Sequence, residues 1–434
     1  MDIKHISEVS AQRYKNLDLD QGLKLSEGLN IFIGSNGSGK SNFIALLKLL
    51  KDSVSDNISS EKNGTTRFTK SIGELGESRI LNALLSFPSK VNLSFSFTML
   101  KESGDETYNL VLGLSILCLD KTFPQIAEEY LLTNVFKGDK YTDIIYHYRF
   151  HYQSSGNGFI NKFIPEDSLE SSYKITEIPT NEIGLTIIPQ LMENIEHGQG
   201  KRLIYTSRRQ IINLVSDWRF YSANNMNLKR IRNAEPEIGS PEKYLNPDCE
   251  NLALVLDNLI QESIDFEDQL NVIMRDIVPQ TKRIRPIRTG RTRISIEWHL
   301  QNTKRPLYLD EMSDGTVRML CWAIILNSPN LPSLIVIDEP EVGLHVQWLS
   351  YLAEWIKNAA ARTQVIITTH SPDLLDKFTN RLENVHVFEA SNPEQTLFHV
   401  KTLSRERLQD RLDEGWELGD LYRVGEPEIG GWAL

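Results

Sequence analysis

Residues 3–33 alternate apolar and polar positions in the manner of strands. They end in Leu29-Asn30-Ile31-Phe32-Ile33, an apolar run that reads as a buried strand. A helix is expected over residues 42–50, and the polar stretch 51–77, rich in Ser, Asn and Gly, predicts an exposed loop. Residues 91–97 alternate with period two and face residues 108–114 across a polar turn, the pattern of an antiparallel hairpin. Leu252, Val255, Leu256, Leu259 and Ile260 recur at helical spacing. Residues 283–300 carry a second hairpin pattern around Thr289-Gly290. From residue 313 the chain reads helix, strand, helix, strand. Residues 115–200 give mixed signals and are read as an inserted lobe. No long heptad run, internal repeat or low-complexity tract interrupts the sequence.

Between the first buried strand and the first helix lies Gly34-Ser35-Asn36-Gly37-Ser38-Gly39-Lys40-Ser41-Asn42. This is a complete phosphate-binding loop, G-x-x-x-x-G-K-[ST], in the strand-to-helix setting that the motif requires. Its glycines let backbone N–H groups wrap a phosphate chain, and the helix N-terminus adds a favourable dipole. Lys40 is expected to reach the β- and γ-phosphates and Ser41 to hold Mg2+. The motif predicts binding of a nucleoside triphosphate.

Two later strands end in groups suited to the same chemistry. Leu334-Ile335-Val336-Ile337 leads into Asp338-Glu339-Pro340. An acid at the carboxyl end of a parallel strand holds Mg2+ through its coordinated water, the role read for Asp338, and Glu339 then polarises the attacking water. A plain acidic turn is the alternative. The run Val365-Ile366-Ile367-Thr368-Thr369 ends in His370, whose imidazole is read as a γ-phosphate contact, against the usual structural role of a lone histidine. Ser313-Asp314-Gly315-Thr316 opens an apolar helix; it suits anion binding through backbone N–H groups, or serves only as a cap.

Composition changes this picture at two points. With 434 residues, 40% hydrophobic and 24% charged, no run approaches the roughly 18–20 apolar residues of a membrane span. The start of the chain carries no apolar signal core, and Cys118, Cys249 and Cys321 are isolated, so a cytoplasmic chain without a membrane partner is expected. The net charge of −11 excludes a generally DNA-coating surface. Against it, Lys282, Arg283, Arg285, Arg288, Arg291 and Arg293 fall within twelve positions, and Lys201, Arg202, Arg208, Arg209, Lys229, Arg230 and Arg232 add to them. Three readings stay open: a track for nucleic-acid phosphates, a face for an acidic partner, or a charged guard on a hairpin edge.

Taken in order, the phosphate loop, the Ser-Asp-Gly-Thr helix, Val336-Ile337-Asp338-Glu339-Pro340-Glu341-Val342-Gly343-Leu344-His345 and Thr368-Thr369-His370-Ser371-Pro372 resemble the ABC-type ATPases of the SMC/RecF/OLD class. The likeness is strongest to the bacterial RecF-like predicted-ATPase group and covers residues 3–50 and 205–431. It implies an α/β fold: an ABC-type P-loop ATPase head with a mixed sheet, an antiparallel β lobe and a helical lobe. Residues 1–114 and 205–434 would be its two halves, around an insertion of residues 115–204.

The resemblance further implies ATP and Mg2+ as cofactors, hydrolysis involving Lys40, Glu339 and His370, and closure as a homodimer or higher even oligomer. It places Ser313 and Gly315 on the γ-phosphate bound by the other subunit, residues 341–345 at the dimer interface, His370 as the switch histidine and Lys15 as a basic residue preceding the loop. Weaker matches are Asn251-Leu252-Ala253, Leu418-Gly419-Asp420-Leu421 and Gly430-Gly431. Asp314 and Thr316 depart from transporter signatures toward the SMC/RecF side, and Val346 stands where a proline usually follows the histidine. SMC proteins would need long heptads, and OLD nucleases an acidic TOPRIM domain after His370. The chain thus resembles the ATPase half of an anti-phage defence system whose effector, a nuclease or toxin, is separate. The alternatives are a DNA-repair or chromosome-maintenance ATPase and a non-hydrolysing, nucleotide-dependent scaffold.

Overall fold

The computed structural model describes residues 3–55, 66–99, 106–137, 140–152, 156–161, 172–193, 199–390 and 397–430. The chain divides into two compact units. One comprises residues 28–35, 219–387 and 402–434, the other residues 1–27, 36–218 and 388–401.

The first unit is built on parallel strands in the order Arg219–Ser222, Leu334–Asp338, Gln364–Thr368 and Leu29–Gly34. Their apolar runs are nearly continuous because both faces of a parallel sheet are covered; every residue of Gln364–Thr368 is buried. The register pairs Ser222 with Asp338, Asp338 with Thr368, and Thr368 with Phe32, so the carboxyl ends of the strands fall in line. Helices Asp314–Asn327 and Leu349–Ala360 contribute Trp322, Met319, Leu352 and Ile356 to the core. The expected helix appears as Leu252–Glu262. The expected second hairpin is Thr281–Thr289 with Arg293–Leu300, in register Thr289 to Arg293, and Ile284, Ile296 and Trp298 are its buried face.

The second unit is built mainly on an antiparallel ribbon. The first expected hairpin forms from Ser89–Met99 and Glu106–Cys118, with Val91 opposite Ile116 and Phe97 opposite Leu110. The helix after the phosphate loop runs Lys40–Val54, longer at both ends than its apolar pattern indicates. Within the stretch expected to be a loop, Arg67–Glu74 is a helix: Phe68 and Ile72 lie four residues apart on a buried face, and Thr66 and Thr69 cap its start reciprocally. Residues 56–65 of that stretch lie outside the described residues.

The region of mixed signals continues the ribbon through Gln125–Lys137, Lys140–His151, Asn157–Asn161 and Ser172–Thr176, then turns into helices Gly184–Leu191 and Gln199–Ser216. Its pattern is obscured by buried polar groups. Thr133 Oγ1 lies 2.7 Å from His147 Nε2. Glu129 is fully buried and accepts hydrogen bonds from Tyr148 Oη (2.6 Å), Leu185 N (3.0 Å), Gly184 N (2.5 Å) and Tyr152 Oη (3.4 Å). Burial pushes its carboxyl up to about 7. No helix among the described residues is long and apolar enough to cross a membrane.

Candidate functional site

The strand Leu29–Gly34 is buried throughout, and the chain leaves it through the glycines of the loop. Gly37 and Gly39 have φ of 78° and 99°, left-handed values that glycine adopts without strain. Lys40 is buried with its Nζ 3.3 Å from Ser38 Oγ, and Ser41 is exposed. The turn between strands Ile3–Tyr14 and Leu17–Lys24 braces the loop. Asn16 Nδ2 donates to Gly37 O and Asn42 Nδ2 to Asn16 Oδ1, both at 2.7 Å, while Leu17 fills the space a β-carbon on Gly39 would need. Lys15 lies in the same turn at φ 47°, with its N–H on Ile80 O at 2.8 Å, and burial lowers the proton affinity of its ammonium. Asn16 belongs to no sequence motif; only its place beside Lys15 hinted at it.

In the parallel-stranded unit, the aligned strand ends gather the acids and the histidine. Thr368 Oγ1 donates to Asp338 Oδ1 at 2.6 Å. Glu339 N donates to Thr368 O and to Thr368 Oγ1, both at 3.1 Å. Glu339 sits at φ 51°, a left-handed conformation that costs a non-glycine residue on the order of 1 kcal/mol or more. Its carboxylate accepts Asn224 Nδ2 at 3.3 Å and lies 3.8 Å from His370 Nε2. Thr369 N donates to Phe32 O at 3.1 Å, which fixes the histidine turn beside the strand that opens the phosphate loop. Asn224 and Thr368 were not anticipated. Asn224 reaches Glu339 because Arg219–Ser222 pairs with a strand more than a hundred residues away, a contact that no local spacing announces.

Exposed Ser313 is the N-cap of helix Asp314–Asn327: its Oγ accepts Thr316 N at 3.2 Å and lies 2.8 Å from Thr316 Oγ1. A β-carbon on Gly315 would stand 2.9 Å from the Trp348 ring and 3.4 Å from Gly343 O, so glycine keeps the helix start close to the turn 341–345. Arg318 lies against Gly343 (φ 75°) and donates to Val342 O at 3.2 Å. Val346 is 60% exposed. Asn251 is buried and donates to Tyr244 O, and Gly419 N donates to Asp376 Oδ1 at 2.7 Å, contacts that organise loops. Gly430 has φ 69°, and Gly431 lies outside the described residues.

The basic hairpin is partly neutralised. Arg283 pairs with Glu267 and Arg285 with Glu297, whereas exposed Lys282, Arg291 and Arg293 make no salt bridge among the described residues. Arg208, Arg230 and Arg232 are also engaged, the first with Leu185 O, the second with Glu250, the third with Asp314. Side chains of Lys201 and Arg202 lie outside the described residues.

A hydroxyl at Ser41 and a carboxylate at Asp338 are hard oxygen donors of the kind Mg2+ takes when nucleotide phosphates and water complete its shell. No group of three or more His, Cys, Asp or Glu suited to a metal occurs among the described residues. A phosphate loop after a buried strand, together with acids at the aligned ends of parallel strands, marks an ABC-type P-loop ATPase with the fold of an SMC head. The chain belongs to the family described as "AAA domain, putative AbiEii toxin, Type IV TA system", whose model matches residues 29–124 and 199–376. The fold is similar to that of an SMC head crystallised with the C-winged helix domain of ScpA, at 12% identity and TM-score 0.50, over 93% of this chain and 99% of that one. Two other SMC heads align more loosely. That of Thermotoga maritima has 11% identity and TM-score 0.43 over 92% and 99% of the two chains. That of Pyrococcus furiosus, bound to the C-terminal domain of ScpA, has 13% and 0.44 over 94% and 99%. No curated protein matches the sequence.

Proposed function

We propose that the chain binds and hydrolyses ATP with Mg2+, closing as a homodimer or higher even oligomer around the nucleotide, and that closure gates a separate effector. The observation that carries this is the setting of Glu339, whose left-handed backbone and contacts with Asn224 and His370 aim a carboxylate from the end of a parallel strand.

In this reading residues 34–42 wrap the phosphates and Lys40 reaches the β- and γ-groups. Ser41 and Asp338 hold Mg2+, which supplies charge neutralisation on the phosphates. Glu339 orients and deprotonates the attacking water while His370 contacts the γ-phosphate. Ser313 and Gly315 cap the γ-phosphate of the neighbouring subunit, and Lys15 adds positive charge beside the loop. Bound triphosphate then favours the closed form, because only there do Ser313 and Gly315 meet it. Residues 1–114 and 205–434 act as the two halves of the head around the insertion 115–204.

A nuclease or toxin effector in bacterial anti-phage defence, acting in the cytoplasm, is the context we favour; the toxin–antitoxin wording of the family description supports it. A protein partner is also supported by the SMC head structure with a bound ScpA domain. Direct action on DNA is the second reading, favoured by exposed Lys282, Arg291 and Arg293, which make no salt bridge among the described residues. Phosphate release by the full chain with Mg-ATP, alone, with duplex DNA and with a co-purified partner, is the test. Turnover altered by the partner supports gating, turnover stimulated by DNA supports the second reading, and no turnover under any condition leaves a nucleotide-dependent scaffold.

A further inference from the structure

Glu341 is an acid that the catalytic roles above leave unused. Its Oε1 accepts Thr369 Oγ1 at 2.6 Å and His370 N at 3.1 Å, and Thr369 Oγ1 in turn accepts Ser371 N at 3.0 Å. One carboxylate oxygen therefore fixes the backbone where the strand Gln364–Thr368 ends, and that turn determines where the His370 imidazole points. The segment carrying Glu341 is itself tied to helix Asp314–Asn327 on both sides: Trp322 Nε1 donates to Pro340 O at 3.1 Å, and Arg318 donates to Val342 O at 3.2 Å.

The second oxygen, Oε2, is buried with no hydrogen-bond partner among the described residues. Burial also raises the carboxyl above its ordinary range, with the nearby Glu339 charge adding to the effect. A half-satisfied buried acid beside another acid destabilises the fold, and such groups cluster where chemistry needs them.

We propose that Glu341 is the positioning residue for His370, holding its backbone so that the imidazole faces Glu339 and the γ-phosphate. This rests on the ATPase reading. Glu341→Gln keeps an oxygen for Thr369 and the His370 N–H, whereas Glu341→Ala removes it. In the full chain, Glu341→Ala is expected to lower kcat about tenfold or more, with affinity for a fluorescent ATP analogue unchanged and most of the rate restored in Glu341→Gln. In a His370→Ala background, Glu341→Ala should cause no further loss, because the group it positions is gone. Independently of turnover, hydrogen exchange at the His370 amide should be slow in the wild type and Glu341→Gln, and fast in Glu341→Ala. Thr369→Val, which removes the hydroxyl partner, should also lower kcat if Glu341→Ala proves too unstable to purify. Equal losses in both backgrounds, a Gln variant as impaired as the Ala variant, or a His370 amide still protected in Glu341→Ala would overturn the proposal. A wild type without turnover contradicts the ATPase reading instead, and the exchange comparison still decides whether Glu341 holds the histidine.

Discussion

Glu129 in the antiparallel ribbon and Glu339 at the end of a parallel strand are both acids taken partly or wholly out of water, and the chain treats them in opposite ways. Glu129 is sealed: four donors converge on its two oxygens, two of them backbone N–H groups at the start of helix Gly184–Leu191. Glu339 is left loose: its side chain is 30% exposed, its polar side-chain contacts among the described residues are one amide at 3.3 Å and one imidazole at 3.8 Å, and its backbone is left-handed. An acid that serves the fold is fully satisfied, because an unmet buried acceptor would subtract from stability. In the role proposed for it, Glu339 would keep lone pairs for the incoming water, and the surrounding sheet would carry the strain.

That contrast makes opposite predictions for the same Glu→Gln change. Glu339→Gln should lower turnover by roughly two to three orders of magnitude while ATP binding persists, because shape survives and the base does not; phosphate release and nucleotide retention on the purified chain measure it. An unchanged rate would remove Glu339 from the chemistry. Glu129→Gln should instead destabilise the chain by about 1–3 kcal/mol, because its amide brings two N–H donors among the facing donors where the protonated carboxyl brings one O–H, and leave the rate per folded molecule unaltered. Its pH dependence has a definite sign. With the folded carboxyl raised to about 7, the native state holds the proton more tightly than the unfolded chain. The stability that Glu129 contributes is therefore complete below the unfolded value and is lost as pH rises through 7. The melting-temperature gap between wild type and variant should be widest near pH 5 and narrower by pH 8; a gap that widens with pH would contradict the assignment.

The smallest effect is expected at the basic hairpin. Replacing Lys282, Arg291 and Arg293 by Glu should leave ATP affinity unchanged and flatten the salt dependence of duplex binding by about one unit of log–log slope per lost phosphate contact. If the wild type binds no duplex at low salt, these residues belong to a protein-facing surface.

The same contrast explains what the sequence made legible. The parallel strands could be read because both faces are buried, giving continuous apolar runs that end in Gly34, Asp338 and His370. The two hairpins could be read from period-two alternation. The ribbon beyond residue 118 could not, since Glu129, Thr133 and His147 occupy buried positions and break the pattern that alternation depends on. Helix Arg67–Glu74 hid for a related reason, with Phe68 and Ile72 alone marking its face amid Ser, Thr and Gly. Around the candidate site, the charged groups carried motifs, while the groups that orient them did not. Asn16 and Asn224 act through hydrogen bonds to residues distant in sequence, which no spacing rule encodes, and Thr368, though inside the histidine motif, reaches Asp338 across the sheet.

The central claim is that each catalytic unit combines Glu339, Lys40 and Ser41 of one subunit with Ser313 and Gly315 of another. Mixing two inactive chains tests it. Lys40→Ala cannot hold ATP but keeps Ser313; Ser313→Arg holds ATP but cannot cap its neighbour. Alone, each should release almost no phosphate. In an equimolar mixture, with heterodimers verified by differently tagged chains, one intact composite site forms per mixed pair and a substantial part of the wild-type rate should return. Verified heterodimers that hydrolyse no faster than either parent would contradict the composite site.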